Sequence, residues 1–215
     1  MRCESFSGDL VQSTCDCLVL GIDSSWSESS EIAKIDLATN GLLSRLIESE
    51  EISTKPLKVT QIIEPVGLSV KLLVTVGLGS RDSADPNVYS RAAAAALKAI
   101  ASKKRNIVRV VGFNAPPILL RGAVSGAMVG CVGQDLFRKE KAFHAPDRIE
   151  WVGVDEATVD AGTILGEAIN FSRLLVNLQP NYLYPETLAD EALNLGRTHS
   201  LEVEVWDRRK LEVEA

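Results

Sequence analysis

The chain reads as an α/β protein, with helices on both faces of a mostly parallel or mixed sheet. Three observations carry that reading. Strand-like and helix-like segments alternate along most of the 215 residues. Several strand segments are continuous apolar runs, the pattern of strands covered on both faces. One pair of strands is joined by a short turn, which adds an antiparallel element.

Taken in order, Arg2 to Phe6 is a short alternating segment that suits a strand, and Gly8-Asp9 punctuates it. Asp16 to Ile22 is an apolar run typical of a buried strand. The Ser-rich piece from Asp23 to Ser30 is a loop with several helix-capping candidates. Glu31 to Glu51 carries Ile32, Ile35, Leu42, Leu43, Leu46 and Ile47 at helical spacing, with a break at Asn40-Gly41. Leu57 to Glu64 and Val70 to Val76 are two strands around the Pro65–Ser69 turn. The first alternates, as an edge strand does, and the second is almost wholly apolar. Asp85-Pro86 starts a helix that runs to Ile100: the aspartate caps free N–H groups and the proline fits the first turn. The alanines of this helix allow close approach to a sheet, and Lys103, Lys104 and Arg105 follow at the negative end of its dipole.

Ile107 to Phe113 is another buried strand. From Ala115-Pro-Pro117 the chain becomes rich in small residues, and Gly122 to Gly133 reads as a glycine-spaced helix packed tightly on the sheet. Arg148 to Val154 is a strand and Asp160 to Asn177 a long helix. After a turn come a helix from Pro185 to His199, a strand from Leu201 to Val205, and a helical start at Asp207–Leu211.

The bulk numbers fit a globular chain. Its length suggests one domain, or one domain and part of another, and suffices to bury roughly 70% of the unfolded surface. Hydrophobic residues make up 46% and charged residues 24%, and the net charge is −6. That charge argues against a general nucleic-acid binder, which needs a basic surface against phosphates. No window approaches 18 consecutive apolar residues, and Met1 to Gly8 has no apolar signal core. Four cysteines suit free thiols in a reducing cytoplasm.

The stretch Asn170–Ala192 is the most specific in the chain. Pro180 forbids continuation of the preceding helix and biases Gln179 away from the α region. Pro185 and Glu186 then suit the first turn of the next helix. Arg173, Leu175, Val176, Asn177, Pro180, Asn181, Leu183, Pro185, Glu186, Leu188 and Ala189 match a motif of the leucyl aminopeptidase (cytosol aminopeptidase) family, and the chain resembles that family. Weaker similarity extends through Leu37–Ile47, Val76–Gly79, the alanine helix, and Leu201–Asp207 with Leu211. Leu174, Leu178 and Tyr184 depart from the motif, and a tyrosine is a poor helix cap, so that helix is open to a different start. The Gln134–Lys139 segment departs from the family pattern as well.

The resemblance implies a macrodomain-like, three-layer N-terminal domain over 1–158. Residues 159–215 would be a linker helix and the first helix and strand of a catalytic domain. It implies a parent that releases N-terminal amino acids from peptides with two divalent metals, manganese or zinc, in a cytoplasmic hexamer. The family's metal-binding and catalytic segments have no counterpart here, so no residue is assigned a catalytic, metal or cofactor role. The expected partners are the protein's own catalytic domain and other copies of itself; neither a membrane nor DNA is expected. Leu174 and Leu178 should face a surface meant for an absent domain.

Other constellations have simpler readings. Asp160-Ala-Gly162 reads as a helix cap. Cys15 and Cys17, two apart on a strand, should place both thiols on one side as buried reduced thiols. Cys3, Cys131, His144 and His199 lack ligand spacing. Gly126, Gly130 and Gly133 lack the ending of a phosphate-binding loop. Arg91, Lys98, Lys103, Lys104 and Arg105 read as a solvated helix end rather than a nucleic-acid patch. The alternative function is a stand-alone module binding ADP-ribose or a related nucleotide through the loops after Gly21 and Gly77.

Overall fold

A computed structural model describes residues 1–133, 135 and 137–214, so Gln134 and Leu136 of the divergent 134–139 segment lie outside the described residues. The chain divides into two compact units, Met1–Phe171 and Ser172–Ala215.

The first unit is built on a six-stranded sheet in the order β1-β6-β5-β2-β4-β3. The strands are β1 (Arg2–Phe6), β2 (Cys17–Asp23), β3 (Val59–Ile63), β4 (Leu72–Gly79), β5 (Ile107–Val111) and β6 (Arg148–Val152). All pair in parallel except β3, which runs antiparallel to β4 at the sheet edge. This is the α/β architecture expected, with the 57–76 hairpin in place.

Two apolar clusters lie on the two faces, and β2 shows why both are needed. Leu18, Leu20 and Ile22 point into one cluster with α1 (Ser30–Ala38) and α2 (Leu42–Glu48). Cys17 and Val19 point into the other, with α3 (Pro86–Ile100), α4 (Pro117–Gly130) and the start of α5 (Glu156–Asn177). A strand buried on both sides cannot alternate polar and apolar residues, and β2 does not.

Local chemistry sets the helix ends. Ser29 Oγ accepts from the Ile32 amide at 3.4 Å, and Asp85 accepts from the Asn87 amide at 3.0 Å. Asn40 (φ 55°) and Gly41 (φ 73°) adopt left-handed conformations that separate α1 from α2. The Asp36 carboxylate reaches across the break and accepts from the Leu43 amide at 2.8 Å.

Two expectations about the helices of the first unit change. The glycines of α4 do not face the sheet. A Cβ on Gly126 would lie 2.0 Å from the Ser90 carbonyl oxygen, and one on Gly130 would lie 2.3 Å from that of Ala94. The stripe lets α4 touch the backbone of α3, while Leu120, Val124 and Ala127 fill the core. Asp160 is not a cap either, because α5 begins at Glu156. Asp155 performs that role, accepting from the Thr158 amide at 2.9 Å and its hydroxyl at 2.7 Å.

In the second unit, the helix ends at Asn177, and the amides of Tyr182 (2.8 Å) and Leu183 (3.0 Å) donate to the Gln179 carbonyl in the turn around Pro180. Helix α6 (Pro185–His199) begins at the expected proline, with Tyr184 at its N-cap. No side chain caps it from that position; instead the Tyr184 amide donates to Thr187 Oγ1 at 3.0 Å. Helix α7 (Arg208–Glu214) follows Asp207, which accepts from the Lys210 amide at 2.8 Å. Leu201–Val205 is not a strand. A strand needs a neighbour for its backbone groups, and among the described residues of this unit there is none. Ser200, at φ 54°, turns the chain, and Leu201 donates back to the Gly196 carbonyl at 2.9 Å. Val203 and Val205 then lie with Leu188, Ala189 and Ala192 around an apolar groove of about 580 Å³.

Candidate functional site

In an open parallel sheet, ligands bind outside the carboxyl ends of the strands. Here those ends are β2 at Asp23, β4 at Gly79 and β5 at Val111. Asp23 is buried, yet its carboxylate is fully engaged. Oδ1 accepts from the Ser25 amide at 2.8 Å, and Oδ2 accepts from Arg81 Nε at 3.1 Å. Arg81 also reaches Glu28 Oε2 at 3.3 Å. The hydrogen bond and charge of Asp23 raise the Arg81 pKa above its ordinary value.

The space between the latch and the sheet is filled. Gly21 is a close-approach position: a Cβ there would lie 2.8 Å from the Phe113 ring and 2.9 Å from Leu78. Gly112, at φ 82°, turns the chain after β5 and brings Phe113 over the strand ends. The Phe113 ring packs edge-on against Tyr89 and Trp151, with centroids 6.0 Å and 5.8 Å away. Arg81, from the loop after β4, therefore latches onto Asp23, and Phe113, from the loop after β5, packs over Gly21, where a nucleotide would need a phosphate cradle.

The remaining candidates are dispersed. Cys15 lies in the α1/α2 cluster and Cys17 in the α3/α4 cluster, so the two thiols do not share a side. The alternation fails because Cys15 precedes β2 and touches the sheet only through an isolated bridge to Val70. All four cysteines are buried and free. Burial pushes Cys3 and Cys15 up to about 11, and Cys17 and Cys131 up to about 12. His144 donates its amide to the Ala101 carbonyl at 2.8 Å, and His199 is exposed in the second unit. Among the described residues, no three His, Cys, Asp or Glu side chains come together to hold a metal. The donor set of a two-metal centre is thus not met by the described residues.

One polar cluster was missed from the sequence. Arg109 on β5 and Glu150 on β6 are register partners and both are buried. Glu150 Oε2 accepts from Arg109 Nε at 2.8 Å and Nη2 at 2.6 Å. Arg109 also donates to Ser13 Oγ at 2.6 Å and stacks over the Phe6 ring at 3.7 Å. Glu150 Oε1 pairs with Arg148 at 3.3 Å, and Arg148 with Glu4 at 3.0 Å. The signal was present: each strand sets a charge between apolar residues at its centre, Arg109 in Ile107-Val-Arg-Val-Val111 and Glu150 in Arg148-Ile-Glu-Trp-Val152. The cluster ties the 7–15 loop to the sheet, a structural task.

The sheet order and its helical layers define an open α/β domain with a mostly parallel sheet. Sequence comparison says which one. The model of the cytosol aminopeptidase family, N-terminal domain, matches residues 19–141, and the chain belongs to that family. A probable cytosol aminopeptidase of Rhodopirellula baltica is 32% identical over 167 residues, covering 77% of this chain and 33% of that protein. One from Paraburkholderia xenovorans is 31% identical over 213 residues, covering 92% and 42%. The chain therefore spans about a third to two fifths of the length of these relatives. Among solved structures, a tomato leucine aminopeptidase mutant superposes with TM-score 0.80 at 20% identity, over 99% of this chain and 46% of that one. The bottromycin maturation enzyme BotP gives 0.68 at 23%, over 93% and 41%. At such identities these two support the fold alone.

Proposed function

We propose that this chain is the non-catalytic N-terminal region of a leucyl aminopeptidase-type metallopeptidase, with a structural and assembly role. The observation that carries the reading is the family match over residues 19–141. Residues 1–158 form the N-terminal domain, and residues 159–215 form the linker helix and the start of the catalytic domain. The parent releases N-terminal amino acids from peptides with two divalent cations, manganese or zinc, supplied with ligands by the catalytic domain. Metals held there would supply a Lewis acid for water and for the scissile carbonyl. The parent is a cytoplasmic hexamer, and its N-terminal regions help shape that assembly. Leu174, which is exposed, and Leu178, which is half-buried, face the catalytic domain.

The test is an amino-acid amide hydrolysis assay on the purified 215 residues with added Mn²⁺ or Zn²⁺. No turnover above the metal-only blank is expected. Metal-dependent turnover that survives repurification and is lost on unfolding would overturn the assignment.

A further inference from the structure

The geometry points to an oxyanion site, for a phosphoryl group, at the amino-terminal end of the sheet, opposite the strand ends considered above. A cavity of about 410 Å³ opens there between the starts of β2 and β4 and the loop from α3 to β5. Lys71, Lys103, Lys104 and Arg105 line it, together with Asp16 and Glu64. The charges do not balance locally. Asp16 is already engaged: it accepts from the amides of Asn106 at 2.7 Å and Ile107 at 3.2 Å, and it pairs with Lys71 at 3.6 Å. Lys103, Lys104 and Arg105 have no carboxylate within ion-pair distance among the described residues.

The simplest alternative use for these cations is to cap the carbonyls that end α3. Those carbonyls have other donors. Lys98 O accepts from the Ala101 amide, Ala99 O from Gln61 Nε2, Ile100 O from the Lys103 amide, and Ala101 O from the His144 amide. A further observation concerns Arg105, whose Nε is buried with no hydrogen-bond partner. A buried guanidinium N–H without an acceptor is costly, and a bound oxyanion is the acceptor that suits it. Two flexible ammonium groups beside one planar guanidinium match a tetrahedral dianion better than a planar carboxylate. The phosphoryl group can come from inorganic phosphate or from a phosphomonoester, and the chemistry is shared. The site is independent of the proposed peptidase parentage.

The test is an amide-resolved NMR titration of the ¹⁵N-labelled 215-residue chain at constant ionic strength. Its arms are inorganic phosphate, phenyl phosphate as a monoester, and acetate as a carboxylate control. Phosphate should give saturable shifts at Ser102, Asn106 and Ile107 below about 20 mM, the range in which a Kd near 1 mM saturates. Arg105→Gln, and separately the exposed pair Lys103→Gln/Lys104→Gln, should each weaken binding by about tenfold. Both lysines are exposed, so their replacement keeps the test valid if Arg105→Gln unfolds. Equal affinity for phosphate and phenyl phosphate supports a site for the phosphoryl group alone; tighter binding of the monoester supports a site that also holds its organic part. Non-saturating drift, acetate binding equal to phosphate, or unchanged affinity in the lysine pair variant would overturn the proposal.

Discussion

Replacing Glu150 by leucine should be the most damaging single change in the buried polar cluster, and more damaging than replacing Arg109 by methionine. The asymmetry follows from the partners each change leaves behind. Without Glu150, Arg109 keeps only the neutral oxygens of Ser13 and the Phe6 ring, deep beneath the surface. Without Arg109, Glu150 still has Arg148 at 3.3 Å, and Arg148 is partly exposed to water. Removing one partner of a buried pair costs about 3–5 kcal/mol. Glu150→Leu therefore belongs near ~5 kcal/mol and Arg109→Met near ~3 kcal/mol. The double variant removes both charges and replaces them with apolar groups of similar size. It should return to within ~1 kcal/mol of the parent or exceed it. Arg148 does not become an orphan in that variant, because Glu4 remains 3.0 Å away. Urea titration followed by tryptophan fluorescence measures all three, since Trp151 neighbours Glu150 in β6 and is fully buried. In thermal melts the single changes correspond to drops of roughly 6–20 °C, at about 2–4 °C per kcal/mol. A double variant as unstable as the sum of the singles, or a reversed order of the singles, would refute the reasoning.

Other outcomes follow from local geometry. Gly126→Ala places a Cβ 2.0 Å from the Ser90 carbonyl oxygen, so α3 and α4 must separate; a loss of about 1–3 kcal/mol is expected in the same urea titration. Gly153→Ala meets nothing within 4 Å but holds φ 73°, so only the left-handed backbone penalty of about 1–2 kcal/mol applies. A thiol-reactive dye should label none of the four cysteines quickly in the native protein at pH 8 and all of them in urea, because burial both shields and raises them. The hydrogen bonds of Thr158 hold Asp155 below the usual carboxylate range. A lowered folded pKa means its contribution is complete above the unfolded value near 3.9 and disappears as pH falls through the folded value. Asp155→Ala should therefore flatten the stability-versus-pH curve below about pH 4 while lowering stability at pH 7.

Much of the fold was legible because local signals agreed with the global arrangement. Asp85-Pro86, Asn40-Gly41 and Pro185 punctuate helices for reasons that need no tertiary context, and they hold in the structure. Signals that depend on a neighbour were ambiguous. The α4 glycines announce close packing, but their periodicity cannot say whether a sheet or α3 lies opposite. The Cys15 and Cys17 alternation presumes a continuous strand. Asp16 breaks it by turning its carboxylate to the Asn106 and Ile107 amides. The candidate ligand crevice shows the same limit. Gly21 and Gly77 mark strand ends in the sequence, yet only the position of Phe113 reveals that the space above Gly21 is filled.

Leu201–Val205 makes the point most sharply. Its alternation, Leu-Glu-Val-Glu-Val, is that of a half-buried strand. Val203 and Val205 line one groove with Leu188, Ala189 and Ala192 of α6. What is lacking is a second strand in the same unit to accept its backbone groups. Side-chain period is written into the five residues themselves, whereas the hydrogen-bond ladder belongs to a pair of segments. Only one of that pair is found among the described residues here. The same reasoning accounts for the apolar groove: packing on α6 alone covers one side of the segment and leaves the other without a layer to close it. A short amphipathic segment beside one amphipathic helix is half of a two-layer arrangement. The family assignment, which extends over little more than a third of the relatives' length, is what gives that half its meaning.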